Sequence, residues 1–251
     1  MATVYVGSAR HDENNTYNGG KAGDQTGTEV STQKWYAHNK GWVCLRARDK
    51  AKRILIADAM AAACKNNHIG YDQSQRLSLY NALSKTGFSV ANIRSLSQNV
   101  ECDCSALVRV CILCAGLKDP GNFRTVSEKT ALLNTGDFEW MSNTAYSISS
   151  DYLCKGDILV TSVSGHTVVV LTDGDKAGQE PQKVVTKGAT LRTDATILSK
   201  APATDSKVIT TLDAGAEITV FGVSPSNKEW VAVKCGAIKG YIPKDSVENL
   251  E

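Results

Sequence analysis

The chain has 251 residues, of which 42% are hydrophobic and 22% charged, and its formal net charge is +2. That length accommodates one large domain or two smaller ones, and so mild a charge, with no basic run interleaved with aromatics, speaks against nucleic acid as a partner. No apolar stretch reaches the roughly 18 residues of a membrane span, and no charged start precedes an apolar segment, so neither a span nor a signal peptide is expected.

The chain opens with a glycine-rich polar segment, from Gly7 to Val30, ahead of Trp35, Tyr36 and Trp42. It lacks the Gly-x-x-x-x-Gly-Lys-Ser/Thr pattern of a phosphate cradle. Polar side chains on an irregular loop beside aromatics suit one wall of a groove for a polar ligand, or equally a loop packed by Trp35 and Trp42. Arg48 to Asn67 is alanine-rich with apolar residues at helical spacing. After Gly70 and Tyr71 the pattern returns from Asp72 to Ser84, with Asp72 as a candidate cap. Ala106 to Ala115 is apolar almost all round and predicts a buried helix, closed by Gly116 and Pro120. Thr125 to Leu133 predicts a shorter helix, and the segments between Asp157 and Leu171 predict strands. Helices followed by antiparallel strands is an α+β order.

The polar stretch from Asp173 to Pro181 predicts a linker, with domains over 1–175 and 183–251 and 176–182 joining them. Beyond it come short strands, Lys183 to Val185, Ala189 to Arg192, Lys207 to Leu212, Glu217 to Val223, Glu229 to Lys234 and Ile238 to Ile242, separated by turn residues. Such regular spacing predicts a small all-β barrel. Val208, Ile218, Val220 and Val231 are its expected core, and Trp230 and Tyr241 are expected in the core or partly exposed.

The chemistry concentrates at two places. Cys104, between Asp103 and Ser105, opens the apolar helix, and His166, after Gly165, opens the β-branched run Thr167-Val168-Val169-Val170. A thiol with an ordinary pKa of ~8.5 attacks poorly until its thiolate is stabilised, and a helix N-terminus offers a positive dipole end and free N–H groups for that purpose. A histidine at the start of a strand is held by packing, as a general base must be. Cys102 is a rival nucleophile, but it precedes the helix and loses the dipole. Cys111 and Cys114 read as core. A zinc set of Cys102, Cys104, Cys111 and Cys114 lacks the paired knuckle of such sites, so no metal or other cofactor is expected. His11, His38 and His68 read as surface residues. The eight cysteines read as reduced buried thiols plus one reactive one, in keeping with synthesis in a reducing cytoplasm.

Asp103-Cys104-Ser105, Gly156-Asp157-Ile158 and Gly165-His166 resemble the NlpC-type papain-like peptidoglycan peptidases, which supply the nucleophile and base in this order. Gly7 to Arg10, Asp12 to Asn14, Gly19 to Gly27 and Glu29-Val30 resemble the opening of endolysins encoded by phages of Gram-positive bacteria. Ala106 stands where the family more often has glycine. The resemblance implies Cys104 and His166 as the catalytic pair. For the family's third polar member, Asp173 is the first choice and Asp175 a rival, both also suited to a β-turn. It further implies substrate-side roles for Asp103 and Ser105, which equally suit a helix cap, and candidate contacts from Asp24, Gln25 and Glu29. The segment containing Ile197 to Pro202, Trp230 and Gly240-Tyr241-Ile242 resembles a bacterial SH3-like wall-binding domain, with Leu198 where that family usually has arginine.

The implied protein is a monomeric phage endolysin with a papain-like cysteine peptidase domain and an SH3-like domain. It would hydrolyse an amide bond in the stem peptide of bacterial peptidoglycan, with an N-acetylmuramoyl-L-alanine amidase on the same fold as the alternative bond. It would stay in the host cytoplasm until released to the wall. A non-catalytic wall-binding module and a toxin using the same thiol chemistry on a protein are the readings from other classes.

Overall fold

Apolar residues alternate between two faces along several strands of the first part of the chain, and both faces are covered. The computed structural model describes residues 2–163, 165–181, 187–191, 196–224, 226–235 and 238–248. The chain divides into two units, Met1–Pro181 and Gln182–Glu251.

In the first unit the elements run β1 (Tyr5–Ala9), β2 (Val30–Lys34), β3 (Trp42–Ala47), α1 (Lys50–Ala63), β4 (Ile69–Tyr71), α2 (Ser78–Thr86), α3 (Val90–Ser95) and β5 (Val100–Cys102). They continue with α4 (Cys104–Cys114), α5 (Thr125–Asn134), β6 (Phe138–Met141), α6 (Ala145–Ile148), β7 (Ile158–Thr161) and β8 (Thr167–Val170). One antiparallel sheet has the order β2-β1-β8-β7-β3-β6, and β4 pairs with β5 in a separate parallel ribbon. Leu45, Ile158, Val160 and Val169 join Ile56, Met60, Leu107 and Ile112 in the core between sheet and helices. Val6, Cys44, Leu159, Val168 and Val170 point the other way, onto Trp42, Tyr146 and Leu153. A strand buried on both faces reads as a continuous apolar run, which is what Ile158 to Val160 and Val168 to Val170 show.

The α+β composition stands, but three strands precede the first helix, so the helices-first order is corrected. The glycines and polar residues around β1 and β2 hide their strand pattern. The second helix also starts six residues later than expected. Asp72 Oδ1 instead accepts from Ser74 N and Gln75 N and closes a turn, and the helix starts behind Leu77, which provides no side-chain cap. Within the stretch expected as a linker, Lys176 N donates to Asp151 O at 2.7 Å and Gln179 N to Lys176 O.

Gly156-Asp157 is a structural device. Asp157 is fully buried and receives Arg46 through two bonds, Nε to Oδ1 at 2.8 Å and Nη2 to Oδ2 at 2.6 Å, while Cys154 N donates to Oδ2 at 2.8 Å. Gly156 has φ of +90°, and a Cβ there would stand 1.9 Å from Arg53 O, so only glycine fits.

The second unit holds β9 (Lys187–Thr190), β10 (Thr196–Ser199), β11 (Val208–Leu212), β12 (Glu217–Val223), β13 (Trp230–Cys235) and β14 (Ile238–Pro243). They form one six-stranded antiparallel sheet, β11-β10-β14-β13-β12-β9. Leu191, Ile218, Val220, Val231, Val233, Ile242 and Val247 form its core, and Trp230 is buried. Val208, expected in that core, is instead 48% exposed at the start of the edge strand β11. The strand expected over Lys183 to Val185 lies outside the described residues, as does Arg192 at the end of the next one.

Candidate active site

Cys104 is the first residue of α4, and Asp103 is its N-cap, accepting from Ala106 N at 2.7 Å. Asp103 in turn is gripped by Arg76, whose Nε pairs with Oδ2 and whose Nη2 reaches Oδ1 at 3.2 Å. Ser105 Oγ donates to Asp103 Oδ1 at 3.0 Å and accepts from Arg76 Nη2 at 2.8 Å, and Arg76 Nη2 also donates to Phe123 O. Asp103, Ser105 and Arg76 are all buried. The start of α4 is thereby held by a charged, hydrogen-bonded network.

His166 immediately precedes β8 and is half-buried, with Nε2 3.3 Å from Ser8 Oγ on the neighbouring strand β1. Its backbone is fixed by Thr161, whose Oγ1 accepts from His166 N at 3.1 Å and whose N–H donates to His166 O at 2.9 Å. The next residue, Thr167, links the start of β8 to α5, its Oγ1 donating to Glu128 Oε1 at 2.7 Å.

Cys104 and His166 line one cavity of about 540 Å³, together with Arg10, Tyr17, His38, Lys40, Tyr71, Gln73 and Gly165. A Cβ on Gly165 would stand 3.1 Å from both Lys40 Nζ and Thr161 Oγ1, so the glycine keeps that wall close to the histidine. Burial pushes the Cys104 thiol up to about 12, aided by the negative charges of Asp103 and Glu128 and opposed by the N–H groups of Thr167 and Ser105. Burial pushes His166 the other way, down to about 4, with the positive charges of His38 and Arg10 adding to it. The cavity is therefore lined by a neutral thiol and a neutral imidazole.

The structure brings Cys104 and His166 to one cavity and takes other expected residues away from it. Asp173 lies beyond the far end of β8, at least ~10 Å of extended strand from His166, and accepts from Lys155 N at 2.7 Å. Asp175 accepts from Ala2 N. Neither can orient the ring, whose polar neighbour is Ser8. Asp24 spends its carboxylate on its own loop, accepting from Thr26 N, Gly27 N and Val30 N, and Gln25 Nε2 donates to Ala22 O and Gly23 O. Glu29 accepts from Gln25 N and Tyr71 N. Asp103 and Ser105, expected on the substrate side, turn to Arg76. Asp24 and Gln25 act within their own loop because each finds backbone N–H or C=O groups within a few residues.

Cys102 is fully buried with its sulfur toward Gly70 O, and Cys111 is fully buried in the core. Among the described residues no group of three or more His, Cys, Asp or Glu side chains is arranged to hold a metal. His38, expected at the surface, instead lines the cavity with its ring 5.0 Å from that of Trp42. Sequence reasoning missed Ser8, Arg10, Arg76 and Glu128 as well. Only Ser8 and Arg10, inside the glycine-rich opening already singled out, carried a signal.

Comparison with family models matches residues 6–177 to the endolysin-like domain. No curated protein matches the chain, and no solved structure does.

Proposed function

The chain belongs to the endolysin-like domain family over residues 6–177, and on that premise we propose that it is a cysteine-dependent peptidoglycan hydrolase of papain-like type, cleaving an amide bond of the stem peptide. One observation carries this reading: a cysteine at a helix N-terminus and a neutral histidine from a different element line the same cavity. As the Cys104 sulfur attacks the amide carbonyl, its proton passes to His166. The tetrahedral oxyanion forms near the free N–H groups opening α4. His166 then gives the proton to the departing amine as the C–N bond breaks, leaving a thioester on Cys104. Water, deprotonated by His166, hydrolyses the thioester, and the proton returns to the sulfur.

Within the stem peptide, cleavage after D-glutamate is the preferred bond, and the glycan–peptide amide is the alternative. For the second unit the proposed role is wall binding by an SH3-like barrel. Its six antiparallel strands and small apolar core support that reading, and tethering it to the enzyme raises the effective concentration at an insoluble substrate.

Purified walls digested with the protein and analysed by mass spectrometry test the proposal. New amino termini inside the stem peptide support the peptidase, and stem peptides released whole with an amino-terminal L-alanine establish the amidase. Unchanged walls from every plausible host would overturn the hydrolase reading.

A further inference from the structure

Apart from the reacting pair and two tyrosines, the titratable side chains lining the cavity are all basic, namely Arg10, His38 and Lys40. The carboxylates nearest to this region are engaged elsewhere: Asp103 by Arg76, Glu128 by Thr167, Glu29 by the Gln25 and Tyr71 amides, and Glu101 by the Gly23 amide. Arg46, Arg76 and Arg109 each pair with a carboxylate. Arg10 differs, because its guanidinium meets neutral groups. Nη1 donates to Gln33 Oε1 at 3.0 Å, Nη2 donates to Thr28 O at 3.2 Å and to Ser31 Oγ, and Nε is buried with no partner. A guanidinium so held is fixed in place and, among the described residues, pairs with no carboxylate. Lys40 Nζ lies over Gly165, next to His166.

We propose that Arg10, with Lys40, binds a carboxylate of the substrate beside the scissile amide, so that the enzyme selects stem peptides whose D-glutamate α-carboxyl is free over those in which it is amidated. The inference rests on the peptidoglycan reading and adds its specificity. It also replaces the expected substrate-side role of Asp103, whose carboxylate is committed to Arg76 and the α4 cap. The arriving anion has a second effect. Arg10 and His38 are among the charges that hold His166 low, so a carboxylate on Arg10 offsets part of that field and strengthens the base when substrate is present.

The test uses two synthetic muramyl tetrapeptides that differ only in a free or an amidated D-glutamate α-carboxyl, so that cleavage of either candidate bond is scored. The full-length enzyme is expected to prefer the free acid by about tenfold or more in kcat/KM, mainly through KM. Arg10→Gln and Lys40→Met are expected to bring the two substrates toward equality, a ratio that a loss of folded enzyme does not move. Lys40 is exposed, so its variant keeps the test open if Arg10→Gln folds poorly. Binding of both peptides to the Cys104→Ala protein by calorimetry should show the same order. Equal use of the two peptides, or a preference that survives both substitutions, overturns the proposal and leaves the hydrolase reading intact. Failure to cleave either peptide or purified walls overturns both.

Discussion

Thr167 Oγ1 donates to Glu128 Oε1 over 2.7 Å, so the residue after His166 ties the start of β8 to α5. Glu128 is fully buried, its Oε2 has no partner, and burial raises its pKa to about 8. The folded protein thus holds a proton on Glu128 that the unfolded chain releases at ~4.3. The stability this permits is fully present below the unfolded value and is lost as pH rises through about 8. Glu101 is raised to about 8 as well, by burial and then by the neighbouring Glu29 charge. Glu128→Gln and Glu101→Gln are therefore expected to raise the Tm at pH 8.5 relative to the parent, each by the equivalent of about 1 kcal/mol or more, with little change at pH 4.5. Thermal melts at the two pH values check this.

His166 shifts in the opposite sense. Its pKa falls to about 4 in the folded protein, against ~6.5 when unfolded, so the base stays neutral well into acid. The acid limb of kcat/KM, which reports the free enzyme, is expected near pH 4 and not near 6.5. The folding contribution runs the same way, present above the unfolded value and lost as pH falls toward 4. A pH–rate profile on a soluble peptide substrate locates the limb, and an inflection at 6.5 would contradict the account.

The Gly156-Asp157 pair is assigned to the fold and not to chemistry. Asp157→Ala leaves the Arg46 guanidinium buried without its carboxylate, which costs about 3–5 kcal/mol. Gly156→Ala forces a Cβ onto Arg53 O at a positive φ and is expected to destabilise comparably. Denaturant titrations should show both losses, and specific activity per folded molecule should change little.

A chain ending at Pro181 keeps the whole of the first unit, including both of its hydrophobic clusters. It is expected to fold and to cleave soluble fragments at an undiminished rate, while lysis of intact cells falls several-fold for want of tethering. Sedimentation of residues 182–251 with host walls checks the binding role separately, and a fragment that stays in solution with every wall tested would speak against it.

Much of the site was legible because the two residues proposed to react sit where local pattern is strongest. Cys104 begins an apolar helix and His166 precedes a β-branched strand, and both patterns survive without knowledge of what they pack against. The partners were harder to read because they come from distant elements whose own patterns are weak. Ser8 stands in a strand disguised by Gly7 and Ala9, and Arg76 lies in an irregular turn between Asp72 and α2. Glu128 looks like an ordinary surface acid on a helix until α5 is packed against the sheet. Asp173 failed as a partner for a geometric reason: a residue after a strand lies at the opposite end from a residue before it. Asp24 and Gln25 turn to their own loop because short polar side chains in a glycine-rich segment satisfy their own backbone first.

The central claim is that Cys104 carries the acyl group, and the most direct measurement is hydrolysis of purified peptidoglycan by Cys104→Ala beside the parent and Cys102→Ala. Release of new amines is followed by mass spectrometry, with folding verified by circular dichroism. The account predicts a folded Cys104→Ala protein with activity reduced at least ~10³-fold, and a Cys102→Ala protein that retains most of its activity. Cleavage by folded Cys104→Ala at a rate near that of the parent would contradict it.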